Sequence, residues 1–263
     1  MNISSFEGVE SMEDIELIEY KDVDLSNSML ITAFPTVGLV SYIAGRFIID
    51  SLKLDEIGTI SSRYFMPATV IHNSLPSPPV RIYAGKKTCG LDGSCDQLAV
   101  IISEFMPSWD IIKPLVDKML AWSKKKGCKI IVTLEGTHAV DAKKLKVFGV
   151  GSTPKMKEIL KNYNIEEVKE GMITGDTGVL LYEGVRLKRD VICLLAEAHA
   201  AYPDSRAAGL LLEKLNKMLP DMKIDLEPLY KDAEDIEKKI RAFMEQSKPT
   251  APSLPHTPSE MYG

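Results

Sequence analysis

The sequence predicts an α/β protein built on a mostly parallel, doubly wound sheet, with an antiparallel hairpin at one edge. Short apolar runs at 29–34, 129–134 and 190–196 indicate buried strands. Segments with apolar residues at helical spacing alternate with such runs, and a strand followed by a helix is the repeating unit of parallel sheets. A glycine-rich stretch, 85–93, joins two further strand-like runs and indicates the hairpin.

The first part of the chain predicts an edge strand and a helix with small residues on one face. Residues 15–20 alternate apolar and acidic side chains, as an edge strand does. In residues 35–50 the apolar side chains recur at helical spacing. The small residues of that segment are Gly38, Ser41, Ala44 and Gly45. A helix with such a face can lie close to a sheet, to another helix or to a second subunit.

The remaining elements of the body follow from local signals. The helix predicted at 109–126 has Ser108 as its cap, an apolar stripe that begins at Trp109, and Gly127 at its end. Thr153 precedes a proline that opens another helix. The other predicted elements are strands at 56–60, 80–84 and 97–103, a helix at 206–219 capped by Asp204 or Ser205, and an irregular proline-rich segment at 63–79.

Four parts are expected: a flexible acidic N-terminus at 1–14, an α/β body at 15–226, a helix at 227–247 and a tether at 248–263. Apolar residues in the helix are spaced four, three, four and three apart, which is a two-heptad seam. The seam consists of Leu229, Ala233, Ile236, Ile240 and Phe243. It either packs on the chain's own domain or is buried in a homo-oligomer.

The tether carries a proline at every third position, at Pro249, Pro252, Pro255 and Pro258. Polyproline II has three residues per turn, so this spacing predicts a semi-rigid extended segment of about 3.1 Å per residue. It ends in Met261, Tyr262 and Gly263 with a free carboxylate. One alternative is an adaptor whose Pro-x-x-Pro sequence is bound by a proline-binding domain, which would not depend on the free carboxylate.

Composition excludes several classes of protein. The net charge of -5 argues against nucleic acid as the main partner. The sequence contains no apolar run of transmembrane length and an acidic, not signal-like, start, which predicts a cytoplasmic protein that does not enter a membrane. Of its four cysteines, Cys89 and Cys95 could form a local disulfide, half a metal site or a reduced hairpin loop.

A competing hypothesis is an enzyme. The strand at 129–134 is followed by Glu135, Thr137 and His138, and His199 and Asp204 follow the strand at 190–196. Because ligands of open α/β sheets bind beyond the carboxyl ends of the strands, these side chains predict either a general acid/base site or capping hydrogen bonds.

No cofactor is predicted, because the sequence has no Walker A loop and no Gly-x-Gly-x-x-Gly. Residues 149–153, which precede a helix, could bind an anion at its N-terminus, but a turn and a cap explain them more simply.

Three blocks of sequence resemble the proteasome assembly chaperone 2 family: 33–38, 171–181 and 195–208. The last three residues resemble the hydrophobic-Tyr-X (HbYX) motif of proteasome activators. The resemblance implies a fold similar to nucleoside phosphorylases and an archaeal, homo-oligomeric, nucleotide-independent partner of the proteasome that is not an enzyme.

By the same resemblance, the tail docks into pockets of the α-ring of the proteasome core particle. Met261 would fill an apolar slot, Tyr262 would provide its ring and hydroxyl, and the Gly263 carboxylate would pair with a lysine. The alternative is a small-molecule enzyme of nucleoside phosphorylase, hydrolase or ATP-grasp type that uses Glu135 and His138.

Overall fold

The computed structural model describes residues 15–72, 74–89, 95–140, 144–219 and 222–234. The strands are β1 Glu16–Glu19, β2 Ser28–Ala33, β3 Asp55–Ser61, β4 Val70–His72, β5 Leu75–Ser77, β6 Val80–Cys89, β7 Cys95–Ser103, β8 Ile130–His138, β9 Val147–Gly151, β10 Glu166–Glu167 and β11 Asp190–Ala198. The helices are a 3-10 turn, Val37–Leu39, followed by α1 Val40–Leu52, α2 Trp109–Lys125, α3 Pro154–Asn162, α4 Gly175–Leu187 and α5 Ser205–Met218.

Most strands join one mixed sheet in the order β1-β3-β6-β7-β2-β8-β11-β9-β10, while β4 and β5 pair separately. The four central strands, β7, β2, β8 and β11, are parallel. The strands on the β6 side are antiparallel, and β9 is antiparallel to β11. The predicted parallel sheet is therefore confirmed for the centre, whereas the whole sheet is more mixed than expected.

The antiparallel direction of β9 follows from the short connection that precedes it. A strand parallel to β8 would need a crossover of a dozen or more residues, and only residues 139–146 separate β8 from β9, which lies beyond β11 in the sheet. The chain therefore turns back at the end of β8. Glu197 holds this connection, because its carboxylate oxygens accept hydrogen bonds from the backbone N–H groups of Val140 at 3.2 Å and Lys146 at 2.9 Å.

Helices cover both faces of the sheet, as a doubly wound fold requires. One apolar cluster joins the sheet to α1, α3 and α5, and a second cluster joins the opposite face to α2 and α4. No helix within the described residues is both long and apolar enough to cross a membrane.

The helix predicted from residue 35 begins only at Val40. Gly38 and Leu39 have positive φ values of 63° and 52°, which interrupt the helical backbone. The small residues of α1 face the sheet, and Ser41, Ala44 and Gly45 are buried. A Cβ atom on Gly45 would lie 2.3 Å from the Cβ of Ala33, so this face serves close packing within the chain.

The hairpin of β6 and β7 is confirmed, and its backbone register pairs Cys89 with Cys95. The side chains of these two cysteines lie outside the described residues. In α2 the apolar stripe is buried as predicted, except for Trp109. Trp109 begins the helix and is 76% exposed, so the first residue of the predicted stripe does not share the burial of the others.

A further helix begins at 227 and is described to 234. Leu229 and Ala233 of the heptad seam are buried on the chain's own body. Asn216 donates a hydrogen bond to the carbonyl oxygen of Ile224, whereas Tyr230 donates to Glu213 and its ring lies against Gly209, so the chain runs antiparallel to α5. The remaining seam residues, the tether and the last three residues lie outside the described residues.

The close packing of α1 on β2 predicts that Gly45→Val destabilises the fold. The added side chain collides with Ala33, and overpacking of this kind typically costs about 1–3 kcal/mol. Denaturant unfolding should show this loss. Ser51→Val places the same side chain at an exposed position of α1 and should change the free energy of unfolding by much less. Equal effects of the two substitutions would contradict the packing argument.

Candidate functional site

The three sequence blocks that carry the family resemblance meet at the carboxyl ends of the central strands. Residues 33–38 follow β2, residues 171–181 include the start of α4, and residues 195–208 join β11 to α5. From β2 the chain continues to β3, which lies on the β7 side of β2 in the sheet. Strand β8 is the neighbour of β2 on its other side. The ends of β2 and β8 thus form the switch point at which open α/β sheets bind ligands.

The crevice at this switch point is filled by the chain's own loop, residues 35–39. The hydroxyl Oγ1 of Thr36 accepts a hydrogen bond of 3.0 Å from the backbone N–H of Gly136. A Cβ atom on Gly136 would lie only 2.1 Å from the carbonyl oxygen of Val37. Glycine at 136 therefore allows the loop to lie directly on the end of β8.

The same loop is tied to β11 and α5 through Asp204. The backbone N–H of Asp204 donates to the carbonyl oxygen of Gly38 at 2.7 Å. The carboxylate caps α5 by accepting a 2.9 Å hydrogen bond from the N–H of Ala207. It also lies 2.9 Å from the backbone N and 2.7 Å from Nδ1 of His199. Asp204 is therefore the α5 cap, and its carboxylate is engaged in structural hydrogen bonds.

A pair of carboxyl groups, the buried Asp176 and the partly buried Glu135, lies on the opposite face at the start of α4. Burial raises the pKa of Asp176 to about 7. Burial and the charge of Asp176 raise the pKa of Glu135 to about 8, although a hydrogen bond from Thr177 opposes the shift. No basic side chain contributes to either shift. At neutral pH the pair therefore retains a proton.

Buried polar side chains form a row across the same face, below the carboxyl pair. Thr32 is the register partner of Thr133, which in turn is the partner of Cys193. Burial raises the pKa of the Cys193 thiol, which stays protonated. Thr133 lies beside this thiol. Nevertheless, neither threonine hydroxyl makes a hydrogen bond of ordinary geometry within the described residues.

The acid/base site predicted from Glu135, Thr137, His138, His199 and Asp204 is not assembled. Successive side chains of a strand point to opposite faces, so Glu135 lies on the α4 face whereas His138 lies on the face of Gly136 and the 35–39 loop. His199 pairs with Asp204, and its ring stacks on Tyr202. Sequence reasoning missed Asp176, although its position at the start of α4, directly after Gly175, could have indicated it.

The predicted anion site at 149–153 is a turn and a helix cap. The hydroxyl of Ser152 donates to the carbonyl oxygen of Arg189 at 2.7 Å. The hydroxyl of Thr153 accepts from the N–H of Met156 and donates to Asp190. A Cβ atom on Gly151 would lie 2.8 Å from the backbone of α3. Among the described residues, no cluster of three or more His, Cys, Asp or Glu side chains could hold a metal ion.

Fold and site together define a class: a doubly wound α/β protein whose switch-point crevice is closed by its own chain. Residues 30–244 match the PAC2 family, and the chain belongs to that family. It is also 34% identical over 235 residues to an uncharacterized protein of Methanocaldococcus jannaschii, covering 89% of this chain and 93% of that protein.

Two solved structures from Pyrococcus furiosus are similar to the whole body. PbaA, an archaeal homologue of proteasome-assembly chaperone, is 29% identical with a TM-score of 0.77 and covers 89% of this chain and 92% of its own. PbaB, an archaeal proteasome activator, has a TM-score of 0.75 at 21% identity and covers 89% of this chain and 100% of its own. The likeness to PbaB shows a shared fold alone.

The carboxyl pair predicts that stability falls as pH rises toward 8. In the unfolded chain both groups titrate near pH 4, so the folded state binds more protons between about pH 4 and pH 8 and loses stability across that window. Thermal unfolding at several pH values should show a flatter profile for the double variant Glu135→Gln, Asp176→Asn.

The control for this experiment is Glu158→Gln, which removes an exposed carboxyl group from α3. It should keep the pH dependence of the unsubstituted protein. If the double variant has the same slope as the unsubstituted protein between pH 5 and pH 8, the carboxyl pair does not titrate in this range.

Proposed function

We propose that this protein is a proteasome assembly chaperone or activator that binds the α-ring of the proteasome core particle through its C-terminal tail. The observation that carries the proposal is its likeness to PbaA, at 29% identity over 89% of the chain. PbaA is described as an archaeal homologue of proteasome-assembly chaperone. Membership of the PAC2 family supports the same class of function.

The tail supplies the binding groups in this proposal. Met261 fills an apolar pocket, Tyr262 contributes its ring and hydroxyl, and Gly263 provides the terminal carboxylate. The prolines of the tether keep these groups away from the body, which comprises residues 15–226, and the helix at 227–247 joins the two. Several tails on a homo-oligomer would raise the effective concentration of the second and later contacts.

A non-enzymatic role agrees with the geometry of the carboxyl ends. The switch-point crevice is filled by residues 35–39, whose backbone contacts β8 and α5. The groups that could act as acid and base are divided between two faces of the sheet. We therefore assign the protein no reaction and no nucleotide.

Residues added after Gly263 should abolish binding. They move the carboxylate out of its pocket and leave the rest of the chain intact. A pull-down of the core particle together with a peptidase assay should show loss of both binding and activation. The matched control carries the same added residues before Met1. Activation by the C-terminally extended protein would contradict tail docking.

Neither nucleotide nor the side chain of His138, at the end of β8, should affect the function proposed here. Nucleotide should not change binding to the core particle, and His138 should not be needed for its activation. Binding to the core particle, measured by titration with and without ATP, should give the same dissociation constant. His138→Ala should activate the core particle as the unsubstituted protein does, because its exposed side chain lies outside the proposed contact. A tenfold gain in affinity with ATP, or loss of activation in His138→Ala, would favour the enzyme-like alternative.

A further inference from the structure

Two grooves lie on either side of helix α2, at its outer surface. One lies between α2 and the end of α4, has a volume of about 270 Å³ and is lined by Leu120 and Leu187. The other lies between α2 and β1, has a volume of about 300 Å³ and is lined by Leu17 and Trp122. The exposed Ala121 lines both, so its small side chain separates them. We call the two together the α2 grooves.

The size of the α2 grooves decides what kind of ligand they fit. Sites for drug-sized molecules usually have volumes of about 300–1,000 Å³, and each groove is at or below the lower end of that range. Their apolar lining is open to solvent, since Leu187 is 46% exposed. They therefore suit single apolar side chains of a peptide better than a whole small molecule.

The rims of the α2 grooves carry more basic than acidic groups. The charged lining residues are the basic Lys118, Lys124, Lys125 and Arg189 and the acidic Glu19 and Asp117. The whole chain, in contrast, has a net charge of -5. The α2 grooves are therefore a basic region of an acidic protein.

Both acidic groups of the rims already have basic partners outside the grooves. The carboxylate of Glu19 lies 2.8 Å from Nζ of Lys126, which also pairs with Asp22. Asp117 pairs with Lys113. A partner that fits the α2 grooves is therefore an acidic segment with spaced apolar side chains.

The first fourteen residues of this chain have that composition. They contain four acidic residues and no lysine or arginine, and an apolar residue recurs at every third position. The other terminus, at 248–263, has one lysine and one glutamate and lacks the charge to complement a basic rim. Residues 1–14 lie outside the described residues. The apolar positions are Ile3, Phe6, Val9 and Met12, and the acidic ones are Glu7, Glu10, Glu13 and Asp14.

The point at which this segment joins the body lies beside the α2 grooves. Ile15 is 3% exposed and belongs to the same apolar cluster as the buried face of α2. Leu17, two residues further on, lines one of the grooves. Fourteen extended residues span up to about 50 Å, whereas a helix of 17 residues such as α2 is about 25 Å long. The segment is therefore long enough to fold back along α2.

We propose that residues 1–14 dock into the α2 grooves of their own chain. The apolar side chains of the segment enter the grooves on either side of Ala121, and its carboxylates lie against Lys124 and Lys125. The acidic N-terminus, which composition alone predicts to be flexible, is then held on the body. This inference does not depend on tail docking.

Limited digestion of the full chain with a glutamate-specific endopeptidase tests the proposal. The enzyme cuts after Glu7, Glu10 and Glu13, and a synthetic peptide of residues 1–20 gives the rate for the undocked segment. When docking is fast, cleavage follows the undocked population, so the full chain should be cut at these sites about tenfold more slowly than the peptide.

Charge reversal on the rim should remove this protection. The double variant Lys124→Glu, Lys125→Glu places negative charges in the last turn of α2 and should be cut nearly as fast as the peptide. The matched control, Lys157→Glu, Lys161→Glu, makes the same change of charge at exposed positions of α3. That control should stay protected, and circular dichroism should confirm that both variants fold.

Three results would overturn the inference. The unsubstituted chain could be cut as fast as the peptide, or the α2 double variant could stay as protected as the α3 control. Protection that disappears when the protein is diluted a hundredfold would show that the segment docks on a second copy and not on its own chain. Loss of core-particle binding after extension of the C-terminus would leave the digestion result unchanged, so the two proposals fail independently.

Discussion

The contact between the backbone of Val37 and the end of β8 is the constraint on which much of this structure depends. The chain can approach β8 this closely because Gly136 has no side chain. Once residues 35–39 lie there, the carbonyl oxygen of Gly38 is placed to accept the N–H of Asp204. The start of α1 and the cap of α5 are therefore fixed by one loop. A side chain at 136 would collide with the carbonyl oxygen of Val37 and force this loop to shift.

This constraint also determines where the protein can act. Enzymes with open α/β sheets use the crevice at the switch point, and here the chain itself occupies it. Of the carboxyl groups that remain, Asp176 is buried and Glu135 is partly buried at the start of α4, and burial raises the pKa of both. Such a pair retains a proton at neutral pH. The carboxyl ends of β2 and β8 are thus covered by the chain's own backbone.

The sequence predicted the elements whose signal is local and missed those that depend on the assembled fold. The continuous apolar runs identified the central strands, and Thr153 with its following proline located α3 correctly. The interruption before α1 was missed because Leu39 adopts a positive φ, which nothing in a leucine indicates. The division of Glu135 and His138 between two faces required the exact extent of β8, which continues four residues beyond the predicted strand.

The described part of the C-terminal helix relates the body to the tail. It runs antiparallel to α5, and α5 begins at the carboxyl ends of the central strands. At residue 234 the chain is therefore directed toward the carboxyl ends of the central strands. In the proposed tail docking, the binding groups would therefore start from the end of the body at which β2, β8 and β11 end.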